Sequence, residues 1–139
     1  MSELESKKRI LAADANEEFR RILTASLSEE SDLEVVGETG EGTEALCLAE
    51  RLRPDVVVMD LVLAKADGLE VLQALTRLEP RPRVLVLSGF VRGSVAELAA
   101  ANGADYYMMK PCNLTAVAER VRQLADGVAI GEDGGEDRN

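Results

Sequence analysis

The chain has 139 residues, 46 % of them hydrophobic, and a formal net charge of −10. That is enough apolar material for one ordinary domain, and too much negative charge to favour a nucleic-acid backbone or an anionic membrane surface. Histidine is absent, which excludes Ser-His-Asp and Cys-His nucleophile systems and a phosphohistidine carrier; with two cysteines and no CxxC pair, a zinc site is not expected.

Aromatic residues make up 3 %, so the core must be aliphatic. Cys47 and Cys112 are expected to be reduced thiols of a cytoplasmic protein. No signal peptide is expected, because Lys7-Lys8-Arg9 is followed only by the short apolar run Ile10 to Ala13 before Asp14. No apolar run approaches membrane-spanning length.

Residues 1 to 8 are polar and expected to fray. Ile10 to Ala13 reads as a buried first strand that ends at Asp14. Asn16 suits the cap of a helix whose Phe19, Ile22, Leu23 and Leu27 share a face. Ser28 to Asp32 ends that helix, and Leu33 to Gly37 gives a second strand with the partial alternation of an edge. Gly40 to Gly42 is a turn. Thr43 is expected to cap a second helix with the stripe Ala45, Leu46, Leu48, Ala49 and Leu52, in which Cys47 serves as a small packing residue; Pro54 stops it.

Val56, Val57, Val58 and Met59 run without a polar break and end at Asp60, as in a strand buried on both faces. Asp67-Gly68 opens a third helix carrying Leu69, Val71, Leu72, Leu75 and Leu78, closed by Pro80 and Pro82. Val84 to Leu87 is another buried strand, ending at Ser88-Gly89. A weak helix face of Val95, Leu98, Ala99 and Asn102 stops at Gly103. Tyr106 to Met109 is the fifth strand and ends at Lys110-Pro111. Asn113 caps a last helix with Leu114, Val117, Ala118, Val121 and Leu124. The domain is read over residues 9–126, and the glycine-rich acidic residues 127–139 as a disordered tail or linker stub.

Five strand–helix units imply an α/β, doubly wound fold: a five-stranded parallel sheet with helices on both faces. The polar residues Asp14, Asp60, Ser88 and Lys110 all stand at carboxyl ends of strands. In the strand order 2-1-3-4-5 their strands are neighbours, so the four side chains would converge at one rim of the sheet. Taken singly each has a plainer reading: Asp60 as an acceptor for loop amides, Ser88 as a turn residue, Lys110 as a solvated charge. It is the set, in order, that points to a site.

From about Arg9 to Leu124 this pattern resembles a response-regulator receiver domain of two-component signalling, with the flavodoxin-like (βα)5 fold. Asp14, Asp60, Asp67-Gly68, Ser88-Gly89 and Lys110-Pro111 carry the resemblance. The stretch DLEVVGETGEGTEAL also resembles receivers that precede DNA-binding output domains, the sporulation master regulator of spore-forming bacteria among them. The resemblance implies that Asp60 accepts a phosphoryl group from a sensor histidine kinase or phosphotransfer protein, as a carboxylate nucleophile. Lys110 would offset the phosphoryl charge and Ser88 would hydrogen-bond a phosphoryl oxygen. Magnesium would be held by Asp14, Asp60 and the Val62 backbone carbonyl. Ser88 and Tyr107, the latter read as half-buried, would couple the site to the face made by the fourth helix, fifth strand and fifth helix. That face would also serve a homodimer, the Lys110-Pro111 peptide would be cis, and the output would be transcription. The segment itself would neither turn over a substrate nor touch nucleic acid or membrane.

The chain departs from the family where a second acid usually follows Asp14. Ala15 stands there and offers no ligand atom, so magnesium binding should be weak. Ala64 replaces a common proline and Cys112 a common aromatic. A pseudo-receiver, binding partners without phosphate, therefore stays open as a second class. A haloacid-dehalogenase-type phosphatase would need an acid where Val62 stands, and a flavin carrier would need a phosphate loop that ADANEE does not supply.

Overall fold

A computed structural model describes residues 6–89, 93–110 and 112–128. The elements run β1 (Lys8–Ala13), α1 (Glu17–Ser28), β2 (Leu33–Thr39), α2 (Gly42–Leu52), β3 (Val56–Met59), β4 (Val62–Leu63), β5 (Ala66–Asp67), α3 (Gly68–Thr76), β6 (Arg83–Ser88), α4 (Gly93–Ala101), β7 (Tyr106–Met109) and α5 (Leu114–Ala125). The main sheet is five-stranded in the order β2-β1-β3-β6-β7, and its pairings are all parallel. This is the doubly wound order expected, with β6 and β7 as its fourth and fifth strands.

Alternation along each strand divides the core in two. Ile10, Ala12, Val56, Val58, Leu85, Leu87, Tyr106 and Met108 face one side, where Leu23 and Leu27 of α1 and Val117, Ala118 and Val121 of α5 cover them. Leu11, Ala13, Val57, Met59, Val84, Val86 and Tyr107 face the other, under α2, α3 and Ala99 of α4. Both faces are covered, so the middles of the central strands, Ile10 to Ala13, Val56 to Met59 and Val84 to Leu87, are apolar throughout. That is why the apolar runs are unbroken and why the polar residues gather at strand ends.

Several local expectations are corrected. Ile22 and Leu98, placed on apolar helix faces, are 52 % and 48 % exposed. Cys47, read as a packing residue, is exposed on α2. Thr43 does not cap α2: the cap position is Glu41, which makes no side-chain cap bond. The buried Thr39 does the work instead, its hydroxyl accepting the Glu41 N–H at 3.1 Å and donating to the Glu44 carboxylate. The third helix stops at Thr76, so Leu78 lies beyond it, although it still packs on the second core.

Asp67-Gly68 opens α3 as expected. The Asp67 carboxylate accepts the Leu69 N–H at 2.9 Å. Glycine is required at 68 because a Cβ there would stand 2.0 Å from the Leu61 carbonyl oxygen. The antiparallel pair β4–β5, just after Asp60, was not expected from the sequence. It is pinned by two bonds: Gly42 N–H to the Ala64 carbonyl and Ala64 N–H to the Gly40 carbonyl, each 2.9 Å. The second needs an N–H at position 64, which a proline lacks. Pro111 and the acidic stretch 129–139 lie outside the described residues, so the cis Lys110-Pro111 peptide and the tail do too; the cis bond described is Glu79-Pro80. No described helix is long and apolar enough to cross a membrane.

Candidate functional site

Register builds the site. Ala13 of β1 pairs with Met59 of β3, and Met59 with Val86 of β6. The next residues, Asp14 and Asp60, therefore leave the sheet side by side. Ser88 pairs with Met109, which puts Lys110 one step past the same rim. Asp14, Asp60 and Lys110 continue the alternation that faces α1 and α5. Ser88 and Tyr107 continue the one that faces α2, α3 and α4. The strand ends thus supply two adjoining groups, one on each side of the sheet.

The first group is an ion cluster. Lys110 Nζ donates to Asp14 Oδ2 and to Asp60 Oδ2, each at 2.7 Å. Asp14 and Asp60 are 3 % and 7 % exposed, so two carboxylates share one ammonium in a poorly solvated place. Buried charge of this kind persists only when paired and hydrogen-bonded. The remaining oxygens are bonded as well: Asp14 Oδ1 accepts the Asn16 N–H at 2.9 Å and Asp60 Oδ1 the Val62 N–H at 3.0 Å. Burial pulls the Lys110 ammonium down. The hydrogen bonds and charges of Asp14 and Asp60 together outweigh it, so its pKa ends above the ordinary lysine value.

The second group is Ser88 with Tyr107. Both are buried, at 0 % and 5 % exposure, so Tyr107 is more deeply placed than a half-buried packing residue. Burial raises the Tyr107 phenol above its usual value; a hydrogen bond with Ser88 draws it back and the Asp60 charge raises it further. Asp60 is thus felt electrostatically across the rim, by the aromatic residue that reading the sequence placed in the switch.

Two neighbours from α1 were missed as site residues. The ring of Phe19 lies under Lys110 Nζ, 4.2 Å from its centroid. Arg20 Nη1 donates to the Asp14 carbonyl at 2.6 Å while its Nε donates to Glu38 Oε1 at 2.9 Å. Phe19 carried only a helical-face signal in the sequence, and nothing in one-dimensional spacing tells a core ring from one turned to a cation. Cys112, close by, is half-buried and its thiol is pushed up by burial, with the Lys110 charge pulling it back; that is no setting for a reactive thiolate.

Whether the rim suits magnesium can be asked of its donors. The carboxylates of Asp14 and Asp60 and the backbone carbonyl of Val62, where β4 begins, are hard oxygen groups of the kind that ion takes. Among the described residues no third acid, His or Cys joins them in a cluster, and the exposed Ala15 adds none. The set fits a hard divalent cation held by fewer carboxylates than usual and in competition with the Lys110 ammonium.

Comparison with known proteins agrees with this fold. Residues 10–122 match the family model for the response regulator receiver domain. The response regulator protein VraR of Staphylococcus aureus is 33 % identical over 124 residues, covering 89 % of this chain and 59 % of VraR. The chain thus spans less than two thirds of the length of that relative. Among solved structures, the receiver domain of the putative response regulator NarL from Mycobacterium tuberculosis superimposes with a TM-score of 0.84 at 29 % identity, covering 88 % of this chain and 99 % of that one. The receiver domain of AraT, a response regulator from Geobacillus stearothermophilus, gives 0.76 at 31 % identity, over 86 % and 93 % of the two chains. With the family model matched over residues 10–122, most of its length, this chain belongs to the response-regulator receiver domain family.

Proposed function

We propose that Asp60 accepts a phosphoryl group from the phosphohistidine of a sensor histidine kinase or phosphotransfer protein. The observation that carries this is the Lys110 ammonium held at 2.7 Å from the Asp60 carboxylate in a buried rim. A carboxylate oxygen of Asp60 attacks phosphorus, a P–O bond forms, the P–N bond to the imidazole breaks, and the imidazole leaves with the bonding pair. Lys110 then turns from the carboxylate to a phosphoryl oxygen and offsets the added charge. Ser88 donates to another of those oxygens, which changes its bond with Tyr107 and so the packing under α4 and β7. Magnesium, when bound by Asp14, Asp60 and the Val62 carbonyl, supplies further charge neutralisation.

The output is read from the face of α4, β7 and α5. We assign it to control of transcription, through contact with an output region or a second copy of this chain, because a DNA-binding response regulator of the LuxR family from Staphylococcus aureus shares this fold. The role is that of a switch in the cytoplasm, not of an enzyme with turnover.

A second reading has its own support. Ala15 gives no ligand, and all the carboxylate oxygens of Asp14 and Asp60 already have donors. Such a rim would suit an interaction module that works without phosphate. Incubation with acetyl phosphate, with and without magnesium, followed by intact mass, separates the two. An adduct that grows with magnesium supports phosphotransfer. No adduct at millimolar metal, together with one restored by Ala15→Asp, favours the phosphate-free module.

A further inference from the structure

We propose that Phe19 is a positioning residue that seats the Lys110 ammonium against its two carboxylates. An ammonium has three donors. Two of them go to Asp14 and Asp60. The face of the Phe19 ring, 4.2 Å from Nζ, closes a further side with its negative quadrupole where water would otherwise stand.

The ring is itself held in place. The Asn16 N–H bonds to Asp14 Oδ1 at 2.9 Å, and the Phe19 N–H bonds to Asn16 Oδ1 at 2.9 Å. Lys110 returns to Asp14 through Oδ2, so the contacts form a closed circuit: Asp14, Asn16, Phe19, Lys110 and back. The cap that starts α1 and the seat of the lysine are therefore one construction. Phe19 touches no reacting atom; it acts through Lys110 by limiting where the ammonium can go when it leaves Asp60. Its part in phosphoryl transfer rests on the phosphoacceptor reading above, whereas the seating of Lys110 does not.

The test compares Phe19→Leu, which keeps apolar bulk and loses the π face, with Phe19→Tyr, which keeps the face. In isotope-labelled protein, the exchange of the Lys110 side-chain ammonium protons with water is followed by NMR, after circular dichroism confirms that each variant folds. Exchange is expected to rise on the order of 5-fold in the leucine variant and to stay near the parent rate in the tyrosine variant. Labelling by acetyl phosphate is expected to slow by a similar factor in the leucine variant alone. Equal ammonium exchange in the parent and in Phe19→Leu overturns the proposal. If the parent takes no phosphoryl group, the phosphoacceptor reading falls, and the exchange measurement still decides whether Phe19 holds the lysine.

Discussion

Lys110 Nζ lies 2.7 Å from Asp60 Oδ2, across 50 residues of chain, and the same nitrogen lies 2.7 Å from Asp14. Two buried acids and one amine form a unit that is neither a surface ion pair nor an aliphatic core. Its stability and its chemistry depend on the same bonds.

Removing the amine should therefore destabilise the fold. Lys110→Met keeps the length of the side chain and leaves two buried carboxylates without a counter-ion. We expect a loss of about 2–3 kcal/mol at neutral pH, below the range for fully buried pairs because the rim is open on one side. The pH dependence has a definite sign. The folded-state pKa of Lys110 is raised, so its contribution is complete below the unfolded value near 10.5 and is lost as pH rises through the higher folded value. Urea denaturation of parent and variant should show a gap that is constant near neutrality and narrows at strongly alkaline pH.

Tyr107 reports on Asp60 from the other face of the sheet. Its phenol is raised by burial, with a smaller upward push from the Asp60 charge. Asp60→Asn removes that charge and should lower the Tyr107 pKa part of the way toward the ordinary value, as read by ultraviolet titration against a Tyr107→Phe blank. No change would place the two residues outside each other's field.

Ala15→Asp should restore a missing ligand. Adding a carboxylate beside Asp14 is expected to tighten magnesium on the order of ten-fold, since affinity at hard-cation sites follows ligand charge count. Calorimetric titration measures it directly. The new acid also adds a third negative charge to the rim, so stability in metal-free buffer should fall slightly.

Much of this was readable from sequence because the sheet is covered on both faces. Val56 to Met59 and Val84 to Leu87 are unbroken because such a sheet buries both of their faces, and Asp14, Asp60 and Lys110 stand out as the polar residues just past its rim. What escaped notice has physical reasons. The strands β4 and β5 are two residues each, too short for any periodicity to declare them. Ile22 and Leu98 fit a 3.6-residue stripe, but the sheet covers a narrower arc of α1 and α4 than the stripe spans, so they face solvent. Thr43 looked like a cap because it follows Gly42; the hydroxyl used belongs to Thr39, at the end of β2. Phe19 belongs to the core and to the ion cluster at once, and its helical spacing revealed only the first. The finer likeness to sporulation-type receivers has no counterpart among the relatives named above.

The central claim is that Asp60 is the residue that takes the phosphoryl group. The most direct measurement is intact mass and site mapping of the parent and of Asp60→Asn after acetyl phosphate with magnesium, with beryllofluoride-induced NMR shifts as the non-covalent counterpart. The account predicts one phosphoryl adduct on the parent, mapped to Asp60, none on the variant, and shifts that spread from Asp60 to Ser88, Tyr107 and Lys110. An equal adduct on Asp60→Asn, or no adduct and no shifts in the parent, would contradict it.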